Sequence, residues 1–106
     1  MIDLQSSKEQ IRHALRFEQI NEACPEQYQV YIDFKGKELV TGFVRLRHGL
    51  VSVRYPDMNG DLIYETRTIG DGCFDSAEEK SSVLSTIRLT LAEAIRKDWD
   101  SHIKEK

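Results

Sequence analysis

Between Tyr28 and Ile69 the chain alternates apolar and polar residues in four short runs, and this constrains the fold more than any other feature. Side chains along a strand point alternately to its two faces, so a period of two marks strands with one dry and one wet face. The runs are YQVYIDF, LVTGFVRLR, LVSVRY and LIYETRTI. Between them stand KGKE, HG and PDMNGD, turn segments with glycine, proline and asparagine where tight turns need them. Connections this short favour antiparallel neighbours, so a four-stranded meander is expected.

A helix is expected on each side of the strands. The stretch SSKEQIRHALRFEQINEACP opens with capping-box pairs, Ser6 with Glu9 or Ser7 with Gln10, and stops at Pro25. Ile11, Leu15 and a later apolar residue give it a narrow buried stripe. After GDGCFDS a second helix begins, with Asp75 or Ser76 as N-cap. Asp71, Asp75, Glu78 and Glu79 crowd this entrance, where capping and the helix dipole account for them. Val83, Leu84, Ile87, Leu91, Ala94 and Ile95 recur at spacings of three and four, and Trp99 and Ile103 continue the series.

The expected architecture is one α+β domain over residues 1–106, in the order α-β-β-β-β-α. An N-terminal helix precedes a four-stranded antiparallel meander, and a long C-terminal helix packs on one face of the sheet. A helix from about 76 to about 103 would run ~40 Å, against ~20–26 Å for a strand of six to eight residues. Trp99 and Ile103 are therefore expected to overhang the sheet. They would meet the first helix or, in a homodimer built on this segment, a second copy.

Alternation also sorts the two sheet faces. Val40, Gly42, Val44, Leu46, Val51, Val53, Tyr55, Leu62 and Tyr64 share the face that a helix would cover. Phe43, Arg45, Arg47, Arg54 and Arg67 share the other, with Glu65 among them. Neighbouring strands lie ≈ 4.8 Å apart, so these arginines form one patch. The plain expectation is a wet face whose arginines pair with Glu65, Asp33 or Glu38, each pair contributing roughly 0.2–1 kcal/mol. The functional expectation is a docking surface for an acidic protein, with Phe43 as an apolar anchor. The alternative is nucleic acid on the same face, with Phe43 stacking on a base.

Charge and motif content narrow the classes. A net charge of −3 and a pI near 5.6 argue against a generic DNA-coating protein. The first residues, MIDLQSSKEQ, lack the basic and apolar regions of a secretory signal, and no apolar run approaches the ~20 residues that cross a bilayer. These point to the cytoplasm, where Cys24 and Cys73 would be free thiols. His13, His48 and His102 are far apart, with no metal-binding spacing, and DMNGD fails the calcium-loop pattern. Cys73 stands just before a helix, where a thiolate is stabilised, but nothing in the sequence places a base beside it. GDG at 70–72 lacks the phosphate-binding context. No catalytic residue, metal or cofactor is expected.

The segments GLVSVRYPDMNG and GDGCFDSAEEKSSVL resemble pieces of HicB-type antitoxins over roughly a third of the chain. The strand LIYETRTI between them and the helix before the sheet depart from that pattern, and the chain is not assigned to the family. The expected function is a small non-catalytic protein-binding module of inhibitor, immunity, antitoxin or phage accessory type. It would act by steric blocking through the arginine face.

Overall fold

The computed structural model describes residues 2–20, 26–69 and 73–104, the last three by backbone alone. A short helix α1 (Lys8–Ala14) leads into strands β1 (Leu15–Gln19), β2 (Gln27–Phe34), β3 (Lys37–Arg47), β4 (Leu50–Tyr55) and β5 (Asp61–Arg67), then into helix α2 (Ala77–Lys104). The sheet is an antiparallel meander in the order β1-β2-β3-β4-β5. The α+β class, the meander and the long C-terminal helix agree with the sequence reading. The sheet, however, has five strands, because the second half of the expected first helix is a strand.

The reason lies in pairing. Ser7 caps α1 with a full capping box, its hydroxyl accepting from the Gln10 amide and its own amide donating to the Gln10 side chain. About two helical turns after this cap, Leu15 takes an extended ψ of 132° and the chain pairs with β2, Leu15 opposite Ile32 and Phe17 opposite Val30. LRFEQ satisfies both periodicities: Leu15 and Phe17 alternate with Arg16 and Glu18, while Ile11 and Leu15 keep helical spacing. The backbone hydrogen bonds offered by β2 decide for the strand. Arg88 of α2 then closes the α1 terminus, its Nη1 donating to the carbonyls of Leu15 at 2.7 Å and Arg12 at 3.2 Å.

Both two-residue hairpins sit where turn chemistry put them. Lys35 and Gly36 have φ of 52° and 83°, and His48 and Gly49 have 54° and 72°. Positive φ at both central positions matches the right-handed twist of the flanking strands. The β4–β5 turn begins with a cis Tyr55–Pro56 bond and is held by Asp57, whose carbonyl accepts from Gly60 N and whose carboxylate accepts from Asn59 N.

The core forms between one sheet face and the two helices. Val30, Val44, Leu46, Val51, Val53, Ile11, Ile87, Leu91, Ala92 and Ile95 are wholly or almost wholly buried there. Gly42 lets α2 approach the sheet, since a Cβ at that position would stand 3.1 Å from Leu91 Cδ2. The overhang of α2 is absorbed within the chain: Trp99 packs on Phe34 with ring centroids 5.1 Å apart, and the Arg96 guanidinium stands over the Trp99 ring, 5.8 Å from its centroid. Arg96 also donates to the carbonyls of Leu4 and Ser6, tying the N-terminal segment to α2. The side chain of Ile103, the other residue expected to overhang, lies outside the described residues.

Two bulges correct the facing of the strands. Val30 pairs with Gly42 but Tyr31 with Val40, so Thr41 is an extra residue in β3. Thr41 is buried and Val40 turns to the open face, 41% exposed, where the alternation had placed it inward. Likewise Val53 pairs with Tyr64 but Arg54 with Leu62, which makes Ile63 extra and carries Leu62 to the open face, 46% exposed. A bulge advances the pleat by one residue, and every side chain beyond it changes face.

Cys73 is disulfide-bonded, where the sequence had pointed to a free thiol. Cys24, the only other cysteine, lies outside the described residues. A disulfide-bonded sulfur offers no thiolate for the nucleophilic role weighed for Cys73. No helix among the described residues is long and apolar enough to cross a membrane.

Candidate functional site

The face of the sheet turned away from both helices can be built row by row from the strand register. Arg47, Leu50 and Arg67 stand side by side across β3, β4 and β5. The next row is Gln27, Arg45, Ser52 and Glu65. The third is Gln29, Phe43, Arg54 and Leu62. The structure thus brings together Phe43, Arg45, Arg47, Arg54 and Arg67 on one face, as alternation indicated. Trp99 is on the opposite side, in its contact with Phe34.

The charges here are left open. Glu38, one of the expected partners, is engaged by Arg16, which also reaches Glu18 at 2.8 Å and stacks over Tyr31 at 4.6 Å. Among the described residues, Arg45, Arg47, Arg54 and Arg67 make no salt bridge. Arg54 donates from Nη1 to the Gly60 carbonyl at 3.1 Å, and Arg47 donates from Nε to His48 Nε2 at 3.2 Å. Four arginines against one glutamate leave this corner with a charge of +3, inside a chain of net charge −3. Arg88 and Arg96, by contrast, donate to part-buried carbonyls distant in sequence and so hold α2 against the N-terminal part of the chain.

Phe43 differs from its expected state. It points to the open face yet is only 7% exposed. It forms part of a hollow of ≈ 260 Å³ with Arg45, Ser52, Arg54 and Met58, the last reaching in from the β4–β5 turn with 60% exposure. A second hollow of ≈ 430 Å³ is lined by Arg45, Arg47, His48, Leu50, Ser52, Arg54, Leu62, Glu65 and Arg67. The two share Arg45, Ser52 and Arg54 and form one trough along β4, with apolar patches at Phe43 and Met58, Leu50 and Leu62. Sequence reasoning missed Leu62, which a bulge brings here, and Met58, which only the shape of its turn brings near Phe43.

Two further hollows among the described residues are differently furnished. One of ≈ 410 Å³ is lined by Ala14, Arg16, Tyr31, Ile32, Asp33 and Glu38, and its arginine is already paired. Another of ≈ 610 Å³ beside α1 is lined by Ile2, Glu9, Gln10, His13, Ala14 and Asp33. There the Arg12 guanidinium holds the Glu9 carboxyl below its usual range. No cluster of three or more His, Cys, Asp or Glu among the described residues could hold a metal ion.

In comparisons with known proteins, no family model matches the chain, and neither does any curated protein or solved structure.

Proposed function

We propose that this protein is a small binding module that blocks a partner protein by laying the arginine face of its sheet over an acidic surface. One observation carries the reading: four arginines, free of salt bridges, surround apolar side chains on the face that no helix covers. Arginine beside apolar and aromatic groups is the composition of interface centres, where a few such residues supply most of the affinity. The rigidity of a five-stranded sheet limits the ordering cost of binding. Class-level association with inhibitors, immunity proteins and antitoxins extends no further than this surface. The disulfide at Cys73 fits work in an oxidising compartment better than the cytoplasm suggested by the N-terminal residues.

The nucleic-acid alternative loses its aromatic platform, because a phenylalanine 7% exposed cannot offer its face to a base. The deciding experiment is an Arg45→Glu/Arg54→Glu double variant, which turns the local charge from +3 to −1 without touching the core. The reading expects a purified partner complex to be lost while the circular dichroism spectrum is unchanged. A folded variant that keeps its partner refutes the reading. Binding of duplex DNA at about 50 mM salt, falling steeply as salt rises, would replace it with the alternative.

A further inference from the structure

Resting on that reading, we infer that the trough along β4 receives an acidic amphipathic helix of the partner, with its apolar side chains seated against the exposed Met58 and Leu62, beside Arg45 and Arg54. Width supports a helix. The walls of the trough are β3, with Arg45 and Arg47, and β5, with Arg67, two strand spacings apart. That is ~10 Å, against ~10–12 Å for a helix with its side chains. Ser52 at the centre is the smallest side chain of the middle row and leaves the dip in which the two hollows meet.

The chemistry of the lining sets the helix face. Met58 at one end, above the buried Phe43, and Leu50 and Leu62 along the trough need apolar groups opposite them. Arg45 and Arg54 stand diagonally across the β3–β4 pair, a relation that separates Cβ atoms by ~7–8 Å. Carboxylates on the turns before and after a seated apolar residue fall within reach of both guanidinium groups, since neighbours three and four apart share a helix face. The four arginines exceed the single Glu65 here, so the complementary helix is acidic. Phosphates of a duplex would answer the charge but leave Met58, Leu50 and Leu62 without a partner.

The test uses two fluorescent helical peptides of about five turns. One carries a leucine stripe flanked by glutamates, and the other has the leucines replaced by serine. A duplex oligonucleotide serves as a third probe, and the protein is the full chain. The inference expects the leucine peptide to bind about tenfold or more tightly than the serine peptide. It also expects that preference to vanish in Ser52→Trp, which fills the dip from the surface, and to shrink in Met58→Ala. Equal binding of both peptides, lost in the Arg45→Glu/Arg54→Glu variant, overturns the seated helix and leaves the acidic-partner reading standing. Binding of neither peptide, preference for the duplex, or self-association that buries the face overturns both.

Discussion

Glu26 offers the sharpest test of how this fold is held. It is 8% exposed, directly before β2, and its carboxylate accepts from the Tyr28 hydroxyl through Oε1 and from the Phe74 amide through Oε2 at 2.7 Å. The Lys80 ammonium stands 3.7 Å away on the first turns of α2. One side chain therefore joins the start of the meander to the segment that enters the long helix. Hydrogen bonds to a charged acceptor contribute ~1.5–3 kcal/mol, against ~0.5–1.5 for neutral pairs. Glu26→Gln keeps the shape and both bonds at neutral strength, because the tyrosine hydroxyl can turn to accept from the amide. The expected loss is about 2 kcal/mol, with the half-exposed lysine adding little. Glu26→Ala leaves the Phe74 amide and Tyr28 hydroxyl without a partner and costs roughly 3–4 kcal/mol. Urea unfolding at neutral pH measures both, as a lower midpoint with unchanged slope. A glutamine variant within about 0.5 kcal/mol of the parent, or an alanine variant more stable than the glutamine one, refutes this account.

Two further outcomes are expected from the fold. Burial, then the neighbouring Glu26 and Asp98 carboxylates, raise the hydroxyls of Tyr28 and Tyr55 above their ordinary value of 10.0. The folded state keeps these protons where the unfolded chain sheds them, so their contribution is whole below about pH 10 and is lost as pH rises toward the folded values. Urea midpoints should fall as pH rises above about 10, and less steeply in Tyr55→Phe; parallel curves would disprove the coupling. At Gly60 a Cβ would lie 2.1 Å from the Tyr55 carbonyl oxygen and 2.7 Å from Pro56 N, both backbone atoms. Gly60→Ala should therefore destabilise by about 1–3 kcal/mol in thermal unfolding, and a stability equal to the parent would show the turn to be slack.

Much of this molecule is written in local pattern. Alternation located β2 to β5 because each strand has one face against the helices and one against water. Gly36 and Gly49 marked their hairpins because those turns demand positive φ. The same alternation put Arg45, Arg47, Arg54 and Arg67 on one open face, and spacings of three and four found the buried stripe of Ile87, Leu91 and Ile95 on α2.

Other features depend on residues distant in sequence. LRFEQ fits a helix and a strand equally, and only the free edge of β2 selects the strand. The bulges at Thr41 and Ile63 leave the written alternation intact while reversing the faces of Val40 and Leu62; pairing register, a property of two strands, creates them. Whether Phe43 meets solvent depends on its place between Gln29 and Arg54 and on where the β4–β5 turn carries Met58. Arg88, Arg96 and Glu26 look like surface charges in the sequence, yet each answers backbone groups 48 or more positions away. The sequence by itself determined which residues alternate and which turn. Tertiary structure decided which of the exposed charges were already spoken for, because an ion pair or a cap needs a partner that only folding brings within reach.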